Sequence, residues 1–403
     1  MFFKNAFLGL WLACLLSATA AQAQADDADM LEPPFVPPVP AAPALKAGSP
    51  KSMQALGAPT VNEIRVLFLY TPDAVRLYGS TANLQTRISN IVAYANTVYS
   101  NSGVQLHMNI ADEQLLQYDN NNVTSTALSQ LANKTHPAFA GVNLLRMQSH
   151  ADFVVLLRPQ KSDTAVCGLA YANGAGVVNP ESNFWTTGGY AYSHVYINCP
   201  DFVLVHELGH NMGLVHSRTD STANAGKVYP YGAGYRIAGD FSTVMAGTPA
   251  TLPLPYFSSP SYNCTGSSGV PKPCGIDSAQ SNGADAVLAI NNIAAQLPHL
   301  SDDSDGDGMP DWFENFWGFD RFNPADAAQD ADGDGRNNLQ EFYAETYPAP
   351  NSTYAISLSQ ARDTDGDGIS DGIDPYPTIA GNPVLELNGI YRGSSIRELI
   401  QRP

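Results

Sequence analysis

The chain has 403 residues, 44% of them apolar, and a formal net charge of −18. That length and apolar content allow two or more domains with a real core, and the acidic balance argues against nucleic acid as a partner. Between Asp302 and Asp374 stand 15 Asp and 3 Glu against 3 Arg, so nearly all the imbalance lies in one segment, whose chemistry suits hard cations.

In chain order, MFFKNAFLGLWLACLLSATAAQA comes first. Lys4 precedes an apolar run from Ala6 to Ala20, closed by Ala21-Gln22-Ala23. This is the layout of a secretory signal peptide over residues 1–23, so an exported, extracellular protein is expected. The run is shorter than the roughly 20 residues a membrane span needs, and no second long apolar stretch follows. Residues 24–59 contain LEPPFVPPVPAAPAL and read as a Pro/Ala-rich pro-segment or linker. They hold no cysteine, so any latency they impose cannot come from a thiolate capping a metal. Four cysteines remain beyond the leader, an even count that suggests two disulfides with three possible pairings. The local pairing, Cys167–Cys199 and Cys264–Cys274, is the one favoured.

From Val61 the pattern becomes globular. IRVLFLY (64–70) reads as a buried strand, and residues 82–103 as a helix through Leu84, Ile88, Ile91, Val92 and Ala95. VQLHMNI (104–110), ADFVVLL (151–157) and AYSHVYIN (191–198) read as further strands. Strands mixed with helices in this order imply an α/β (α+β) unit with a central sheet over residues 60–300. A break falls near 298–301, where acidic repeats begin.

HELGHNMGLVH (206–216) carries the chemistry. His206 and His210 stand four residues apart, so on a helix over 202–213 their rings share one face and can hold one zinc ion. Glu207 lies beside the first ligand and can reach a water without ligating, as a general base. Gly213 can stop the helix and turn the chain, bringing His216 round as a third nitrogen ligand. A fourth position left to water separates a catalytic zinc from a structural one. The other histidines (His107, His136, His150, His194, His299) show no ligand spacing.

HExxHxxGxxH is the metzincin signature, and FSTVMAG (241–247) resembles the Met-turn of that group, with Met245 beneath the zinc ligands by analogy. VCGLAY, VYINCPDFVLVHELGHNMG, YGAGYRIAGDFSTVMAG and LPYFSSPSY resemble the reprolysin-like peptidases, most nearly the bacterial peptidyl-Asp metalloendopeptidases, over about Val61 to Leu297. Two positions depart from relatives. Ser217 follows the third histidine where reprolysins usually carry Asp, and Gly247 stands where astacins and serralysins have a ligand tyrosine. The resemblance implies a metzincin-type catalytic domain with a central mixed sheet, acting on protein or peptide substrates. It also implies that Gly168, Leu169 and Ala170 form an edge strand that pairs with extended substrate. Cleavage before aspartate would need a cation in the primed pocket, for which Arg236 is a candidate and Lys227 and Arg218 are rivals.

DSDGDGMPDWFE (303–314) fits a twelve-residue calcium loop. Asp303, Asp305 and Asp307 hold positions 1, 3 and 5, Met309 offers its carbonyl at 7, Asp311 falls at 9 and Glu314 at 12. DADGDGRNNLQE repeats the scheme with Asp330, Asp332, Asp334, Arg336, Asn338 and Glu341. DTDGDGISDGID does so with Asp363, Asp365, Asp367, Ile369, Asp371 and Asp374. The segment 301–378 resembles thrombospondin type-3 repeats, which implies a small domain holding about two or three calcium ions. Residues 379–403 carry no readable motif. Together these readings imply a secreted zinc endopeptidase with one catalytic zinc and a calcium-binding extension. The rival is a calcium-dependent surface adhesion protein with an inactive peptidase-like domain, and the presence of Glu207 weighs against it. Oligomeric state has no signature in the sequence.

Overall fold

The computed structural model describes Met30–Leu31 and residues 61–119, 121–160, 166–219, 226–247, 253–352, 355–374 and 376–380. The signal-peptide reading, most of segment 24–59 and nearly all of the tail lie outside the described residues.

A six-stranded sheet organises the catalytic part. Its strands are β1 (Met30–Leu31), β2 (Asn62–Tyr70), β3 (Leu106–Leu115), β4 (Phe153–Arg158), β5 (Gly168–Tyr171) and β6 (Tyr192–Tyr196), in the order β1-β5-β6-β4-β2-β3. β2 pairs in parallel with both β3 and β4, and β4 with β6, whereas β5 runs antiparallel to β6. The sheet is therefore mixed. β2 and β4 are buried on both faces, which is why they read as near-continuous apolar runs.

Helices cover both faces. Ile64, Val66 and Phe68 of β2 face helix α1 (Pro72–Tyr78), helix α2 (Thr81–Ser102) and the histidine-bearing helix below. Leu67 and Leu69 face helix α3 (Thr124–Asn133) and helix α4 (Val142–Ser149) on the other side. α2 forms where the apolar spacing predicts. Ser80 caps it by accepting from the Asn83 N–H, and Gly103 ends it at φ 72°.

Helix α5 (Phe202–Asn211) packs on β5, β6 and α2 and carries the histidine motif. A disulfide joins Cys167, one residue before β5, to Cys199, just before α5, and a second joins Cys264 to Cys274. Both are the local pairings expected. The chain continues through β7 (Arg236–Ile237) and β8 (Phe241–Ser242) to helix α6 (Ala286–Ile293). The acidic repeats contribute three short helices, α7 (Asp311–Trp317), α8 (Asn338–Ala344) and α9 (Leu358–Arg362).

One expectation is corrected here. β5 is not the outermost strand, because Met30 pairs with Ala170 and Leu31 with Tyr171, in parallel. The Ala172 N–H also donates to the Leu31 carbonyl at 2.7 Å. A two-residue piece of the N-terminal segment thus lies along part of the edge assigned to substrate.

Candidate active site

α5 is long enough for two full turns and apolar enough to be buried from Val203 onward, so its polar residues are placed rather than solvated. His206, Glu207, His210 and Asn211 are each at most 4% exposed. At its end Gly213 takes φ +85°, and its N–H donates to the His210 carbonyl at 2.8 Å. A Cβ there would stand 2.3 Å from Val228 Cγ2, so glycine is required twice over. The chain then reverses. The Val215 N–H bonds the Gly232 carbonyl and the Gly234 N–H bonds the Val215 carbonyl, which fixes the strand-like stretch that delivers His216.

The three rings converge, and hydrogen bonding at the far side of two of them orients them. His206 Nδ1 lies 2.8 Å from the Val244 carbonyl and His210 Nδ1 lies 2.9 Å from the Leu214 carbonyl. A carbonyl only accepts, so each Nδ1 donates, and in the neutral ring each Nε2 is then left with a lone pair for a metal. Those lone pairs face each other at 3.1 Å, and His216 Nε2 lies 3.2 Å from His206 Nε2. Lone pairs so close repel unless a cation sits among them. At a zinc–nitrogen length of about 2.0–2.1 Å, tetrahedral ligands stand about 3.3 Å apart. The donor set and its spacing fit zinc.

Supporting residues explain the precision. Val244, whose carbonyl orients His206, belongs to the turn that carries Met245. Met245 Sδ would be 2.5 Å from a Cβ on Gly209, so the methionine lies directly under the middle of α5. Gly247 takes φ +76°, and a Cβ there would stand 3.3 Å from Cγ of the His216 ring. Asn211 was not expected from sequence. Its amide donates at 3.0 Å to the carbonyls of both Tyr171 and Tyr192, locking the end of α5 to β5 and β6. Its signal was available, as an amide inside an apolar helix directly after the second ligand.

Glu207 points toward β5. A Cβ on Gly168 would lie 2.1 Å from Glu207 Oε1 and 2.7 Å from its Cγ. The carboxylate therefore rests on bare main chain, and Gly168 has a job beyond strand pairing. Leu169 and Ala170 are buried in the sheet behind it. Arg236 donates from Nε to Thr219 Oγ1 at 3.2 Å, beside the segment leaving His216. Arg218 is spent on main chain, donating to the carbonyls of Gly283 and Pro230. The Lys227 N–H bonds the Gly213 carbonyl. His194, buried in β6, accepts from Arg158 Nε.

Two imidazoles on a glycine-ended helix and a third on the chain that returns from it, over a methionine-bearing turn and beside the carboxylate of Glu207, make a candidate metal centre of the metallopeptidase kind. The family model described as "Metallo-peptidase family M12B Reprolysin-like" matches residues 60–276, and the chain belongs to that family. It is similar to a "Peptidyl-Asp metalloendopeptidase" of Pseudomonas aeruginosa, with 32% identity over 253 residues, 58% of this chain and 39% of that protein. Proteins of the same name from Stenotrophomonas maltophilia and Xanthomonas campestris pv. campestris are each 29% identical over 58% of this chain, covering 52% and 51% of their own lengths. The chain thus spans about half the length of these relatives or less. A solved structure titled "Structure of a chaperone-substrate complex" aligns at TM-score 0.44 and 20% identity over 60% of this chain and 35% of that one, too distant to bear on fold or function.

The repeat loops share one build. In the first, Asp303 accepts from the N–H groups of Gly306 and Gly308, Asp305 from Asp307, and Asp307 from Met309. Asp330, Asp332 and Asp334 accept likewise from the second loop, the last from the Arg336 N–H. So do Asp363, Asp365 and Asp367 in the third, the last from Ile369. At position nine the side chains also bind the loop around them. Asp311 accepts from the Ser304 N–H and hydroxyl and from Arg321, and Asn338 accepts from the Ala331 N–H while donating to the Asp326 carbonyl. Both are loop staples, because the tight turn exposes main-chain donors that need them. Asp374 accepts from the Tyr376 N–H through one oxygen. Burial, then the charges of Asp307 and Asp305, push Glu314 up to about 9; burial, then Asp332 and Asp334, do the same to Glu341.

Proposed function

We propose that the chain is a secreted zinc-dependent endopeptidase, with His206, His210 and His216 holding the ion and Glu207 acting as general base. The observation that carries this is the convergence of the ring Nε2 atoms, those of His206 and His210 standing 3.1 Å apart, with the carboxylate of Glu207 resting against Gly168 of β5. Zinc bound there would polarise a scissile carbonyl and lower the pKa of water toward neutrality. The protein's own part is proton handling and positioning. Glu207 takes the proton of the attacking water and later delivers it to the departing amine nitrogen, and the main chain of β5 aligns an extended peptide. Export accords with the leader-like first 23 residues and with two disulfides. Among the described residues no helix is long and apolar enough to cross a membrane.

The names of the relatives support a preference for bonds next to aspartate, and Arg236 is read as the cation that favours it. Protein stripped of metal by a chelator should lose casein hydrolysis by at least ~100-fold and regain it with zinc. Hydrolysis that persists in metal-free protein sinks the reading. On a peptide library, the zinc-loaded protein should favour bonds preceding Asp, and Arg236→Gln should cut kcat/KM on those peptides about tenfold. A flat profile disposes of the specificity.

Segment 24–59 is read as a pro-segment whose Met30–Leu31 strand holds part of the edge that substrate needs. Two or three main-chain hydrogen bonds at about 1 kcal/mol each correspond to a tenfold effect or more. Trimming the chain to begin at about residue 60 should therefore raise kcat/KM on long peptides roughly tenfold. Equal rates before and after trimming would count against it. The three acidic loops are read as calcium sites, as their spacing of oxygen ligands suggests.

A further inference from the structure

The repeat segment contains two carboxylate clusters that cross loop boundaries. Oxygens of Asp307, Glu314 and Asp326 lie within 4.8 Å of one another, as do those of Asp334, Glu341 and Asp371. Asp326 belongs to no twelve-residue loop, and Asp371 belongs to the third loop rather than the second. Glu314 and Glu341 are fully buried. Neither oxygen of Glu314 has a hydrogen-bond partner, nor has Oε2 of Glu341 or Oδ1 of Asp326. A buried carboxylate with no donor, facing two more carboxylates, is costly unless a cation neutralises it. All-oxygen donors from aspartate and glutamate select calcium over softer metals.

The two glutamates sit on helices that touch the catalytic part. On α7, two residues before Glu314, Trp312 lies against the main chain of Gly188 and Gly189, where a Cβ would be 2.5 and 2.9 Å from the indole. Arg146 of α4, itself buried, bridges the same place by donating to the carbonyls of Gly188 and Leu300. On α8, Phe342 follows Glu341 and accepts at its carbonyl from Asn143 at 2.9 Å. Glu345, just past α8, pairs at 3.0 Å with Lys134, a buried lysine that also donates to Tyr192 of β6. Helices of seven residues do not persist alone, so what fixes their loops fixes these contacts.

We propose that calcium ions at Asp307–Glu314–Asp326 and at Asp334–Glu341–Asp371 join separate loops of the repeat segment and thereby clamp α7 and α8 onto the catalytic unit. This rests on the calcium reading of the loops; it adds Asp326 as a ligand and assigns Asp371, which also accepts from the Thr364 N–H and hydroxyl, to the ion of the second loop, so that separate segments are tied together. It makes the extension a cation-dependent brace on the sheet that carries the histidine helix.

Calorimetric titration of calcium into the calcium-depleted, zinc-loaded full chain tests the ligands. Asp326→Asn and Asp371→Asn should each weaken one class of sites tenfold or more, whereas Asp320→Asn, an equal loss of charge nearby, should leave affinity unchanged. Hydrogen exchange on the unmutated chain tests the clamp independently of folding in the variants. Calcium should slow exchange in residues 311–317 and 338–344 and also in 184–190 of the catalytic part. Wild-type affinity in both variants, or an equal loss in Asp320→Asn, overturns the cross-loop ligands while leaving calcium binding intact. Calcium uptake with no protection at 184–190 overturns the clamp. No calcium uptake by the unmutated chain overturns the underlying reading, and with it this one.

Discussion

Glu207→Gln should abolish peptide hydrolysis, by about 10²–10⁴-fold in kcat, while zinc content stays at one per chain. The separation of the two effects follows from the geometry. The three imidazoles are oriented by groups other than Glu207: His206 by the Val244 carbonyl, His210 by the Leu214 carbonyl, and His216 by the reversal through Val215 and Gly234. Glutamine has the same length and shape, so the packing of α5 against Gly168 survives. Only the capacity to take a proton at Oε is lost. Metal analysis alongside single-turnover hydrolysis of a chromogenic peptide checks both halves. A variant that keeps wild-type kcat removes the base assignment, and a variant that loses zinc shows the carboxylate to be a ligand.

Much of this site was legible before any coordinates. Strand 64–70 could be read because a strand buried on both faces leaves a continuous apolar run, and helix 202–211 because its ligands obey a four-residue spacing. The local disulfides were legible for a similar reason, since short separations limit the choices. What escaped depends on contacts between distant segments. Met30–Leu31 sits in a proline-rich stretch, and two residues show no alternation to mark a strand. Asp326 belongs to no repeat, so spacing could not point to it. Lys134, Asn143 and Arg146 look like ordinary helix-surface residues. Lys134 and Asn143 bond Glu345 and Phe342 of the repeat segment, and Arg146 bonds main chain at Gly188 and Leu300, all contacts between distant segments with no local trace.

Gly168→Ala should lower kcat by about 10²-fold or more without loss of zinc or of the fold. The added Cβ would fall 2.1 Å from Glu207 Oε1, 2.5 Å from Cδ and 2.7 Å from Cγ, so no small rotation of the carboxylate alone relieves it. β5 is held from behind by β6 and by the disulfide at Cys167, and α5 is held by Asn211, so neither main chain can give way easily. The side chain of Glu207 must then swing, which misplaces the base by an ångström or more. Since the backbone of residue 168 is compatible with alanine and its hydrogen bonds are main-chain ones, pairing with β6 persists. The informative comparison is with Leu169→Ala, which removes a buried side chain from the opposite core and should lower the melting temperature while changing kcat little. If Gly168→Ala hydrolyses peptides at the wild-type rate, the close rest of Glu207 on β5 is not what positions it. If its loss of activity tracks loss of zinc, the strand supports the ligands and not the base.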